Sequence, residues 1–328
     1  MAIAFRFPLT EQPHAAQTHL GSTLDDHSSP FPRLVWGIHW MVWGVCQRCA
    51  DFAKFRCISR QGLHANAMNK PEFLSRFLQD DGRTVIVPID HGTAVPVPGL
   101  ESPADLIGCL NPFADGYVVN LGAALGLADA LDGKGICLRT DIYKPAYGDN
   151  LDHGSYMVYS IEDALEADAH AVMNMCYPHH LNEAQMFREC AELISQSQMT
   201  GVPVILESLP FGIGRPDDYT VDNIRFAVRA AAELGADIVK TAYPGDRDGF
   251  ESIVKESYVP VIVLGGAATD DAGILRMAAD AISAGAAGVA IGRNVWQHPH
   301  PERMAKALHA IVHENATADS AIGILANR

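Results

Sequence analysis

Between Thr84 and Arg293 the chain repeats one pattern eight times: a short apolar run followed, in most cases, by a stretch with helical spacing. The runs are TVIVPID (84–90), GYVVNLG (116–122), GICLRTD (135–141), AHAVMNMCYP (169–178), VPVILES (202–208), ADIVKTAY (236–243), PVIVLGG (260–266) and AGVAIGR (287–293). Runs that are apolar at nearly every position suit strands covered on both faces, as in a parallel sheet, rather than strands with one face in water. Between them lie stretches such as NEAQMFRECAELISQSQ (182–198) and VDNIRFAVRAAAELG (221–235), where Ile224, Val228, Ala231 and Leu234 are predicted to face the sheet. Eight such units close most simply into a (β/α)₈ TIM barrel, with chemistry at the C-terminal ends of the strands. A doubly wound open sheet is the alternative, but no GxGxxG turn follows the first run.

A barrel needs roughly 250 residues, and this chain has 328. The surplus is predicted to be an N-terminal extension, residues 1–67, with the barrel domain spanning 68–328. The extension holds Trp36, Trp40 and Trp43, three of the four tryptophans, and shows no clear periodicity. Its apolar stretch LVWGIHWMVWGVC (34–46) is too short for a membrane helix and lacks the basic lead-in of a signal peptide. Cys46 and Cys49 form a lone CxxC without a second pair, a weak zinc signal. MNKPEFLSRFLQDDGR, starting at Met68, reads as a leader helix for the first strand, so the folded protein is expected to begin there, with 1–67 upstream of it.

Net charge is −15, which disfavours a nucleic-acid partner, since phosphate backbones are held by a surplus of Lys and Arg. No run is long and apolar enough to span a bilayer. Cysteines scattered through apolar stretches (Cys109, Cys137, Cys176, Cys190) fit a reducing cytoplasm better than a disulfide framework.

Charged residues at the strand ends carry the chemistry. Lys240 interrupts the apolar sixth run, where an ammonium is costly to bury and a free amine is correspondingly favoured as a nucleophile toward a carbonyl. A lysine paired with a core carboxylate, or one snorkelling to solvent, is the structural alternative. Asp90 closes the first run and Glu207 the fifth. Either suits acid/base work at a barrel mouth, though Asp90 also suits a turn before Gly92, and Glu207 a salt bridge to Lys240 or Arg139. Arg139, closing the third run, is read as positive charge that favours the free Lys240 amine or holds an anion. His91 is expected to point away from the mouth by strand alternation, and Tyr177, His179 and His180 follow the fourth strand as weaker pocket candidates. The seventh and eighth runs end in glycine-bearing turns, LGGAAT (264–269) and AIGRNVW (290–296). Gly265, Gly266 and Gly292, with Arg293 beside them, match the usual phosphate site of such barrels, although the glycines also fit plain turns.

IDHG followed by VPGLESPADLI, the VKT strand, the GG turn and the closing VAIGRNVWQ together resemble the archaeal-type class I fructose-bisphosphate aldolases. That wider group includes amino-dideoxy-heptulosonate synthase and a thiolase acting on a phosphorylated dione. The resemblance runs from about Thr84 to Val312 and implies Lys240 as the Schiff-base lysine, Asp90 as an acid/base carboxylate and Gly265, Gly266, Gly292 and Arg293 as the phosphate cradle. It departs at the fifth strand, where this group places a tyrosine and the chain has Leu209. Glu207 there is similar to the arrangement of tagatose-bisphosphate aldolases, which argues against fructose 1,6-bisphosphate as the substrate.

The expected function is aldol cleavage or condensation of a phosphorylated ketose or aldehyde, through an imine on Lys240 and without metal or organic cofactor. Transaldol or acyl transfer on the same lysine is a second reading, and a non-catalytic sugar-phosphate-binding barrel a third. Barrels of this kind resemble multi-subunit assemblies, so a homo-oligomer is expected.

Overall fold

The computed structural model describes residues 70–143, 155–266 and 270–326. The expectations for 1–67, the Cys46/Cys49 pair and the start near Met68 lie outside the described residues, as do 144–154 and residues 267–269 of the seventh turn.

Ten strands are described: β1 (Thr84–Pro88), β2 (Gly116–Val119), β3 (Gly135–Arg139), β4 (Asp141–Ile142), β5 (Tyr156–Met157), β6 (Ala171–Cys176), β7 (Val204–Ser208), β8 (Ile238–Thr241), β9 (Val261–Leu264) and β10 (Gly288–Ala290). Eight close into a parallel barrel in the order β1-β2-β3-β6-β7-β8-β9-β10, sealed by β1 against β10 with Thr84 opposite Gly288. The short antiparallel pair β4–β5 stands apart. The predicted barrel is therefore present, with strands shorter than the apolar runs, because the chain leaves the hydrogen-bonded ladder at the rim.

The helices are α1 (Lys70–Leu74), α2 (Pro103–Leu110), α3 (Leu121–Gly126), α4 (Ala128–Leu131), α5 (Ile161–Glu166), α6 (Glu183–Thr200), α7 (Val221–Leu234), α8 (Arg247–Glu256), α9 (Asp271–Ser283), α10 (Arg293–Trp296), α11 (Pro301–His313) and α12 (Ala318–Ala326). Three of those that follow the site-bearing strands start on side-chain caps: Thr220 accepts from Asn223 N, Asp246 from Gly249 N and Asp270 from Gly273 N. Each such cap is worth about 1 kcal/mol and fixes where a strand-to-helix loop ends. In α7, Ile224, Val228 and Ala231 are buried against the sheet and Leu234 is half-buried, as the spacing predicts.

A second core fills the barrel: Ile86, Val118, Cys137, Met173, Ile205, Ile238 and Ile262 meet the fully buried ring of Phe77. Phe77 lies against the first residues of β2 and β3, so it plugs the N-terminal end. Alternation along a strand then puts Glu207 and Lys240, two residues beyond Ile205 and Ile238, on the same inward face one layer nearer the open end.

Candidate active site

β7 and β8 are in register with Glu207 opposite Lys240, which sends both side chains into the barrel mouth. Lys240 Nζ stands 2.9 Å from Glu207 Oε1. The other oxygen of Glu207 accepts from Arg139 Nη2 at 2.6 Å, and Arg139 Nε donates to Asp90 Oδ2 at 2.7 Å. A chain of alternating charge thus runs Lys240–Glu207–Arg139–Asp90 across the mouth. All four are buried, Lys240 the most open at 4% exposure and Asp90 at 0%. Burial opposes the charged form of Asp90, but nearby cationic groups, Arg139 foremost, outweigh it and hold the carboxyl below the usual range. Glu207 is likewise lowered against its own burial, by Lys240 first and Arg139 next.

Arg139, read as positive charge that favours the free Lys240 amine or holds an anion, is engaged by carboxylates. Besides Asp90 and Glu207 it meets Asp141 Oδ1 at 3.4 Å, and its guanidinium lies 5.0 Å from the centre of the Tyr143 ring. A guanidinium at 1% exposure must satisfy its charge locally, and three carboxylates do so. It bridges Asp90 and Glu207 and also lines the cavity above them.

A cavity of about 500 Å³ opens above this cluster. Gly265, Gly266, Gly292 and Arg293 form one wall; Leu209, Ile213, Pro216 and Tyr219, from the segment after β7, form an apolar wall. Gly266 adopts a left-handed φ of +66°, and its carbonyl accepts from Arg293 Nη2 at 3.1 Å. At Gly292 a Cβ would come within 2.7 Å of Pro88 O and 2.9 Å of His91 Cε1, so the turn leaves no room for a side chain. The predicted cradle residues are therefore brought together at one side of Lys240.

His91 differs from expectation: it lines the cavity. Strand alternation lapses because β1 ends at Pro88 and the backbone enters a 3₁₀ turn at Asp90–Thr93. Tyr177, His179 and His180 do not line it; Tyr177 is buried and His179 stacks on Phe226 with centroids 4.6 Å apart. Sequence reasoning missed Tyr143, Tyr219 and Tyr243, all of which line the cavity, so it holds phenols although none ends the fifth strand. It also missed Asp141, which accepts from Ser155 Oγ and Met175 N and which burial pushes up to about 7. Its place as a charge closing an apolar run was the available signal. Among the described residues no group of three or more His, Cys, Asp or Glu is set to hold a metal ion; the cation shared by the carboxylates is Arg139.

A reactive-looking lysine on the sixth stave of a closed barrel, paired with a carboxylate and faced by glycine turns, is the layout of a barrel aldolase. The DeoC/LacD family aldolase pattern matches residues 84–298, and the chain belongs to that family. It is 33% identical to 2-amino-3,7-dideoxy-D-threo-hept-6-ulosonate synthase 1 of Archaeoglobus fulgidus, across 76% of this chain and 92% of that one. It is 30% identical to the class 1 fructose-bisphosphate aldolase of Halobacterium salinarum, across 74% and 95%. Among solved structures, an archaeal fructose-1,6-bisphosphate aldolase with its catalytic lysine bound to a carbinolamine intermediate superimposes with a TM-score of 0.66 at 28% identity, covering 74% of this chain and 99% of that one. A Schiff-base-forming fructose-1,6-bisphosphate aldolase gives 0.67 at 29%, covering 75% and 100%. The protein is a class I aldolase, a carbon–carbon lyase.

Proposed function

We propose that Lys240 forms the imine with the ketone of a phosphorylated ketose, and that Glu207 moves the protons. The observation that carries this reading is the 2.9 Å contact between Lys240 Nζ and Glu207 Oε1 inside a buried, charge-matched cluster. Glu207 takes a proton from the Lys240 ammonium, and the free amine adds to the carbonyl to give a carbinolamine. Proton return from Glu207 lets the carbinolamine hydroxyl leave as water and yields the iminium. A carboxylate then takes the proton of the hydroxyl next to the scissile bond. That bond breaks into an aldehyde and an enamine, the iminium receiving the electron pair. Protonation of the enamine carbon and addition of water release the second product and regenerate Lys240. Asp90, tied to Glu207 through Arg139, keeps the cluster near neutrality as protons move.

Glu207→Gln is expected to lower kcat by about 10²- to 10⁴-fold, the usual worth of a positioned acid/base. Borohydride trapping of the ketose on Lys240 should survive, more slowly. Unchanged kcat would remove Glu207 from the proton path.

The phosphate is assigned to the wall of Gly265, Gly266 and Gly292, with Arg293 as its cation. Arg293→Met is expected to raise KM for the phosphorylated ketose by about 10- to 100-fold, the loss of one charge-assisted contact, with kcat changed far less. An unaltered KM in steady-state assays would move the phosphate elsewhere.

Transfer between substrates on the same imine is the second reading, favoured by the 33% identity to a heptulosonate synthase. Product analysis with and without an acceptor separates the two. We also assign the enzyme to the cytoplasm, as its four described cysteines are free thiols, and read it as a homo-oligomer, which light scattering tests. Residues 1–67 are taken as an appendage outside the chemistry, in keeping with a family match that starts at residue 84. A chain starting at Met68 is expected to keep kcat within about twofold, well under the tenfold of a 1.4 kcal/mol change in barrier; a collapse in rate would make the segment part of the enzyme.

A further inference from the structure

His91 stands between the two halves of the site. Its Cε1 packs on the turn at Gly292, and its ring meets Trp296 edge-on, with centroids 5.4 Å apart. Its Nδ1 faces Asp90 Oδ1 at 3.5 Å. Both of these atoms are buried and neither makes a hydrogen bond, whereas the other oxygen of Asp90 is held by Arg139. Two buried polar atoms face each other at the limit of hydrogen-bonding distance, and a proton held on Nδ1, as the imidazolium must hold one, would join them.

We propose that His91 is a positioning residue that couples occupancy of the phosphate turn to Asp90, by taking up a proton when a phosphate is seated beside Gly292 and Arg293. This rests on the assignment of the phosphate to that wall. The charged groups acting on the imidazole are Asp90 on its own turn, Lys240 from β8, Glu207 from β7 and Arg293 at the start of α10. Burial, with Lys240 and Arg293, disfavours the imidazolium against the pull of Asp90 and Glu207, so the ring is held below its ordinary pKa. A phosphate dianion on Arg293 cancels that repulsion and adds attraction, and the imidazole gains a proton from solvent. The Nδ1–H then closes onto Asp90 Oδ1. Asp90 is thereby fixed from both sides, by Arg139 and His91, only while a phosphorylated substrate is bound; the proton returns to solvent on product release. Phosphate would then contribute to turnover as well as to affinity.

The test is a titration of the ¹⁵N-histidine-labelled full chain by NMR, with and without inorganic phosphate, with the Gly266 and Gly292 amides reporting whether the turn is filled. The expected result is an upward shift of the His91 titration by about one unit or more, the scale of a close opposite charge, absent in Arg293→Met. Glycine amides that move while the His91 titration stays fixed would overturn the coupling and leave the phosphate assignment standing. Amides that do not move would overturn that assignment and this inference with it. In kinetics, His91→Asn should lower kcat for a phosphorylated ketose by about tenfold, at the low end of what proton placement is worth, with little change in KM and altered pH dependence. A role confined to packing against Trp296 would leave the pH dependence intact.

Discussion

With Lys240 replaced by methionine, cleavage of a phosphorylated ketose is expected to fall by at least about 10⁴-fold, the scale on which loss of a covalent nucleophile acts. Methionine fills nearly the same volume, so the interior layer above Ile238 stays packed. Glu207 Oε1 loses its 2.9 Å partner, a cost of about 1–3 kcal/mol for a buried acceptor. The buried ammonium goes too, which offsets part of that cost. The variant should therefore fold, and the loss should be one of chemistry. Borohydride treatment followed by mass spectrometry checks it: the native enzyme gains the mass of the reduced ketose and the variant does not. Near-native turnover in the variant would end the Schiff-base assignment.

Arg139→Met is expected to cost more in stability than any other single change in the site. The guanidinium is the shared partner of Asp90, Asp141 and Glu207. Removing one member of a buried charge network leaves uncompensated charge worth about 3–5 kcal/mol, measurable by urea denaturation. The pH dependence should change as well. In the native protein Asp90 and Glu207 are lowered, so their contribution is fully present above the unfolded carboxyl values near 4 and is lost as pH falls through the lower folded ones. Asp141, raised to about 7, acts in the opposite sense: its contribution is present below its unfolded value and is lost as pH rises toward 7. Between neutrality and pH 5 the native protein gains through Asp141 alone, whereas without Arg139 all three carboxyls are pushed upward by burial, so that gain should grow and the loss below about pH 4 should vanish. A variant whose gain toward pH 5 is no larger than that of the native protein would show that Arg139 is not what holds the two carboxylates ionised.

The barrel was legible because strands buried on both faces leave continuous apolar runs, and a charge within such a run is conspicuous. Lys240, Glu207, Asp90 and Arg139 were visible for that reason alone. Their pairing was not: Arg139 finds Asp90 and Glu207 at separations of 49 and 68 residues, set by barrel closure and register. Hence the sequence showed Arg139 as positive charge at the mouth but not the carboxylates that it bridges. His91 was misplaced because alternation was carried past the end of β1 into a 3₁₀ turn. Tyr143 follows a strand of two residues, Asp141–Ile142, too short to leave a periodicity.

The wall formed by Leu209, Ile213, Pro216 and Tyr219 belongs to one uninterrupted stretch of chain, and none of these residues belongs to the ion cluster below it. One wall of the cavity can thus vary without replacing any member of the ion cluster. A laboratory library confined to residues 209–219 would change the lining of the cavity while leaving Lys240, Glu207, Arg139 and Asp90 in place.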